Sequence, residues 1–160
     1  MTDPRPEPWA QPIYVDASAL VKLFVPEAES DALNEALVGS AEVILSDLAL
    51  TEMPSALGRR TREGRLTHTE SRRLYREAEK LAASCRLAEL TPPVHRRAER
   101  LLLTSTDVPL RALDALHLAL ALDGGAATLV TYDPRLRGAA ASQGLFVAPE
   151  NPVTTSSTSP

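Results

Sequence analysis

The chain has 160 residues, 44% of them hydrophobic and 24% charged, with a formal net charge of −4. That length and balance suit one soluble domain with its own core, and no apolar stretch is long enough to span a membrane. The acidic balance argues against a generic nucleic-acid coat, which depends on basic charge. The lone cysteine, Cys85, rules out an internal disulfide and fits a reducing cytosol.

Residues 1–12 carry four prolines and read as a disordered leader. They lack the basic-then-apolar order of a secretory signal. A strand at Ile13-Tyr14-Val15 is followed by helical segments at about 18–25 and 28–38. A strand at about 42–45 leads into a helix at about 48–62, in which Pro54 is expected to kink or delay the first turns. Helices at about 67–84 and 93–104 flank a short strand near 86–90, where Cys85 reads as a packed residue. A helix at about 110–122 precedes a strand at about 127–132. A short helix at about 134–142 and a last strand at about 145–148 complete the domain, 13–148. Residues 149–160, ending Thr-Ser-Pro, read as a frayed tail. Alternation of strands with helices predicts an α/β fold, a parallel sheet covered on both faces.

Four acids stand where an acid needs a reason to be. Asp16 ends the run Ile13-Tyr14-Val15, and Asp133 ends Thr128-Leu129-Val130-Thr131-Tyr132. In open α/β sheets, ligands bind beyond the carboxyl ends of the strands, where both residues lie. Glu52 follows the second strand on a helix. On a helical wheel Asp114 falls between Leu110, Leu118 and Ala121, inside the apolar face. A carboxylate buried there must be paired, hydrogen-bonded or bound to metal. Each acid also has a plainer reading. Asp16 can cap a helix starting near Ser18, and Asp133 before Pro134 is a strong capping signal. Glu52 can be an exposed helical residue. Together, the four predict a carboxylate pocket suited to Mg²⁺ or Mn²⁺.

His117 lies one turn after Asp114, as a general base or, the weightier reading, as a packed, hydrogen-bonded histidine. His68 and His95 lie in charged surroundings and read as surface residues. With no His or Cys cluster at ligand spacing, a structural zinc site is not expected. Fifteen arginines outnumber two lysines, and seven of them fall between Arg59 and Arg76. Interleaved Glu63, Glu70, Glu77 and Glu79 make this stretch a solvated helical face. Arginine's planar fork also suits it to phosphate contact.

At these residues the chain resembles a PIN domain of the VapC type, the toxin ribonucleases of bacterial toxin–antitoxin pairs. The resemblance is carried by Tyr14-Val15-Asp16-Ala17-Ser18-Ala19-Leu20-Val21-Lys22, by Leu50-Thr51-Glu52-Met53-Pro54-Ser55-Ala56-Leu57, by Leu110-Arg111-Ala112-Leu113-Asp114-Ala115-Leu116-His117-Leu118-Ala119, and by Leu129-Val130-Thr131-Tyr132-Asp133-Pro134-Arg135-Leu136. Each motif is weak alone; four in order are specific. The resemblance implies a three-layer α/β/α sandwich and cytoplasmic, Mg²⁺- or Mn²⁺-dependent endoribonuclease activity on RNA. It further implies a cognate antitoxin and a homodimer. By position, Asp16, Glu52, Asp114 and Asp133 would form the acidic, metal-holding site. Ser18 or Thr131 would orient a carboxylate or a water. A catalytically silent module of the same fold, binding nucleic acid or antitoxin, is the competing reading. A phosphatase of the haloacid dehalogenase type needs an Asp-x-Asp nucleophile motif, and Ser18 stands where the second aspartate would be.

Overall fold

The structure, a computed structural model, describes residues 8–150. Five short strands form one sheet: β1 (Ile13–Val15), β2 (Val43–Ser46), β3 (Arg86–Ala88), β4 (Thr128–Val130) and β5 (Phe146–Ala148). Their order is β3-β2-β1-β4-β5 and every pairing is parallel. The helices between them are α1 (Ala17–Phe24), α2 (Ser30–Leu37), α3 (Asp47–Arg62), α4 (His68–Ser84), α5 (Pro92–Thr104), α6 (Ala112–Asp123) and α7 (Pro134–Ser142). Every element expected from the sequence is present, with ends within about two residues for nearly all.

Strand periodicity divides the core in two. Ile13, Val15, Leu45 and Val130 point to one face and pack with α1, α3 and α4 residues such as Leu20, Met53, Leu57 and Leu74. Tyr14, Ile44 and Leu129 point to the other, against Val94, Leu101, Leu118 and Leu136 of α5, α6 and α7. Strands buried on both faces read as continuous apolar runs, as these do. Because β2 and β3 lie to one side of β1 while β4 and β5 lie to the other, the direction in which strands are added to the sheet reverses between β1 and β4. The carboxyl ends of those two strands are the switch point where such sheets bind ligands.

The boundaries need correction. The leader expected over 1–12 is tied to the sheet at its end: Ala10 O accepts from Thr128 Oγ1, Gln11 Oε1 from Glu42 N, and Pro12 O from Ala127 N. The start of the tail expected over 149–160 is likewise held, since Arg137 donates to the carbonyls of Pro149 and Glu150. Main-chain groups flanking β1 and β5 meet partners that a compositional reading does not register. Residues 1–7 and 151–160 lie outside the described residues. Pro54 neither delays nor ends α3, which runs unbroken from Asp47 through it. Pro54 is exposed, so water can take the Leu50 carbonyl that its missing N–H leaves without a helical partner.

Candidate active site

Asp16 follows β1 directly and is almost fully buried. It is the N-cap of α1, Oδ1 accepting from Ala19 N at 2.9 Å. Ser18 Oγ donates to the same oxygen at 2.7 Å, and Thr131 Oγ1 donates to Oδ2. Burial pushes the Asp16 carboxyl above its usual range. The bonds from Thr131, Ala19 and Ser18 oppose that rise without cancelling it. Ser18 and Thr131 thus both donate to the Asp16 carboxylate, and Thr131 does more. Its Oγ1 accepts from Asp133 N at 3.0 Å, so one buried hydroxyl ties the Asp16 side chain to the Asp133 backbone.

Asp133 is the N-cap of α7, Oδ1 accepting from Arg135 N at 2.8 Å and Leu136 N at 3.4 Å. Capping occupies one oxygen only. Among the described residues, Oδ2 has no hydrogen-bond partner. The plain reading and the functional one are thus compatible for Asp133.

Glu52 lies in the second turn of α3 and is partly exposed. Its Oε2 meets His117 Nε2 at 2.6 Å. His117, on α6, continues inward through Nδ1 to Tyr14 Oη at 2.7 Å, and Tyr14 Oη meets Ser46 Oγ at 2.9 Å. The packed, hydrogen-bonded reading of His117 holds. Burial drives the Tyr14 phenol well above its usual range; the bond with Ser46 opposes this, while Asp16, Glu52 and Asp47 add to it. Sequence reading missed Tyr14 and Ser46 as parts of this chain. Asp47 is a third omission, and its work is structural: it accepts from Leu90 N and so fixes the turn after β3.

Asp114 departs from expectation. Because α6 begins at Ala112, Asp114 falls in its first turn, where Oδ2 accepts from Arg111 N at 3.1 Å. It is half-buried at the rim, not sunk in the apolar face. No hydrogen bond joins it to the other three acids. Among the described residues, no three Asp, Glu, His or Cys side chains stand together closely enough to hold one ion. The fold links Asp16 to Asp133 through Thr131 and sets Glu52 beside His117, with Asp114 one turn away. The donor chemistry still suits a hard divalent cation. Glu52, Asp114 and Asp133 each keep one oxygen without a described partner, and Mg²⁺ retains several waters that can bridge to them.

A groove of about 450 Å³ opens beside Glu52, lined also by Ser18, Leu113, Arg59, Arg60 and Arg62. Arg60 is committed to Glu27, and Arg65 to Glu63 at 3.7 Å. Arg59 and Arg62 are exposed and have no ion pair among the described residues. His68 and His95 are exposed, as expected. Cys85 caps the end of α4 half-buried, and burial pushes its thiol up, away from nucleophilic use.

The PIN-domain family model matches residues 13–141. The chain belongs to the PIN-domain family. Within it, the relatives are VapC proteins: the chain is 37% identical over 139 residues to ribonuclease VapC45 of Mycobacterium tuberculosis, covering 86% of this chain and 94% of that relative. Ribonuclease VapC46 of the same species is 37% identical over 137 residues, covering 84% and 95%. Among solved structures, M. tuberculosis VapC20, a sarcin-ricin-loop-cleaving toxin, superposes with a TM-score of 0.65 at 20% identity, covering 79% of this chain and 94% of that one. VapBC2 of Rickettsia felis, bound to a promoter DNA fragment, superposes with a TM-score of 0.60 at 14% identity, covering 84% and 95%. This VapC-type chain thus has the expected sandwich with a parallel sheet. No helix among the described residues is long and apolar enough to cross a membrane.

Proposed function

We propose that this protein is a divalent-metal-dependent endoribonuclease of the cytoplasm, the toxin half of a toxin–antitoxin pair. The observation that carries the reading is the set of acids around the β1–β4 switch point, three with an oxygen left over, in a chain whose relatives are named ribonucleases. Asp16 and Asp114 would be direct ligands of one Mg²⁺ or Mn²⁺, with Glu52 and Asp133 reaching it through water or holding a second ion. Bound there, such an ion lowers the pKa of a water and offsets charge developing on the phosphate. Thr131 and Ser18 hold Asp16 against rotation, so its carboxylate needs no reorganisation during the reaction. Arg59 and Arg62, beside the groove, would pair with phosphates flanking the scissile one. In-line attack of water with departure of the 3′ oxygen would leave 5′-phosphate and 3′-hydroxyl ends.

An antitoxin partner is supported by the VapBC2 neighbour, and a homodimer by the family resemblance. The test is incubation of total RNA with purified protein in Mg²⁺ or in EDTA, followed by end-group analysis. Discrete, Mg²⁺-requiring fragments with 5′-phosphate ends are expected. Mg²⁺ binding without any cleavage by antitoxin-free protein would instead support a silent module.

A further inference from the structure

Tyr14, Ser46 and His117 form a polar chain through an otherwise apolar layer, and all three are buried. Such a chain is tolerable only if every proton in it has an acceptor. The protons can be counted from the blind end. Ala49 N–H donates to Ser46 Oγ at 3.0 Å and cannot accept. The Ser46 proton then has one acceptor among the described hydrogen bonds, Tyr14 Oη. The Tyr14 proton is left with His117 Nδ1. Nδ1 must therefore accept, the ring carries its proton on Nε2, and that N–H points to Glu52 Oε2. Any reversed order, including a doubly protonated imidazole, strands the Ser46 proton in the core.

We propose that Tyr14 and His117 are positioning residues for Glu52. A glutamate has three side-chain torsions, and this one is partly exposed, so its carboxylate is fixed only if something inside grips it. The chain Ser46–Tyr14–His117 delivers one N–H to Oε2 and leaves Oε1 without a partner among the described residues. The grip falls on one oxygen, so the carboxylate is oriented while its other oxygen stays available to a cation. This rests on the reading that Glu52 serves a divalent cation.

The test uses the full chain and the variants Tyr14→Phe, His117→Leu and His117→Gln. In metal-free wild type, ¹⁵N NMR of the His117 ring should show a proton on Nε2 and none on Nδ1. Calorimetric Mg²⁺ titration should show binding weakened about 10–100-fold in Tyr14→Phe and His117→Leu. His117→Gln, whose amide N–H can still reach Glu52, should recover part of that loss. Cleavage should return toward wild type at saturating Mg²⁺. Unchanged Mg²⁺ affinity alongside a lowered melting temperature would mean a merely structural chain and would overturn the proposal, as would a proton on Nδ1. A wild type that binds no Mg²⁺ would instead remove the metal reading on which the proposal rests. Tyr14→Phe keeps the ring's packing, so the test survives a misfolded His117→Leu.

Discussion

Replacing Thr131 with valine keeps the side chain's shape and removes one hydroxyl, a change that is not conservative in a core. Thr131 is 0% exposed, so no water can substitute for its bond to Asp16. The Asp16 bond is a hydrogen bond to a charged group, with a net value of roughly 1.5–3 kcal/mol. The second loss, the acceptor for Asp133 N, is smaller because Asp133 is half-buried and water can approach. Together the two amount to about 2–4 kcal/mol, which for a domain of this size lowers the melting temperature by roughly 5–15 °C. The pH dependence has a definite sign. Burial holds the folded Asp16 pKa above its unfolded value, so ionising Asp16 costs stability as pH rises from the unfolded pKa through the folded one. Thr131 lowers that folded pKa, and its loss raises it further. The deficit of Thr131→Val should therefore be full above the folded pKa and shrink as pH falls through it. Urea denaturation of wild type, Thr131→Val and Thr131→Ser across that range is the assay, with Thr131→Ser staying near wild type. A deficit below about 0.5 kcal/mol at neutral pH, or one that does not change with pH, would refute the reasoning.

Two further perturbations separate roles that coincide in the wild type. Asp133→Ser keeps a capping oxygen for α7 but loses the charge, so stability should hold while Mg²⁺-dependent cleavage falls; Asp133→Ala should in addition cost about 1 kcal/mol by denaturant titration. Arg59→Ala with Arg62→Ala should weaken RNA binding about equally for all sequences and flatten its salt dependence by roughly one phosphate contact per arginine, measured as the slope of log affinity against log salt.

The layered fold was legible because its strands are short apolar runs with helical periodicity between them, and both signals are local. The positions of Asp16 and Asp133 followed from the same logic, since each directly terminates or closely follows such a run. Asp114 was misplaced in depth because the wheel was drawn from Leu110, whereas the helix starts at Ala112 and gives Asp114 an N-terminal task. That start depends on Arg111 lying outside the helix, which the run Leu110-Arg111-Ala112-Leu113 does not announce. Tyr14 could be assigned by strand alternation to the same side as Ile44. Its meeting with His117, 103 residues away, depends on how α6 packs across the sheet, which periodicity does not encode. The direction of Glu52 is not encoded in its own helix for a related reason: it comes from a partner on another helix, His117.

The central claim is that these acids work as one metal site that cleaves RNA. Its most direct test is the cleavage rate of wild type and Asp114→Asn, side by side in the same Mg²⁺ buffer, with folding checked by circular dichroism. Asn keeps the size of the side chain and its acceptor for Arg111 N while removing the charge. A loss of about a hundredfold or more with the fold intact is the predicted result. Wild-type cleavage by Asp114→Asn would contradict the account.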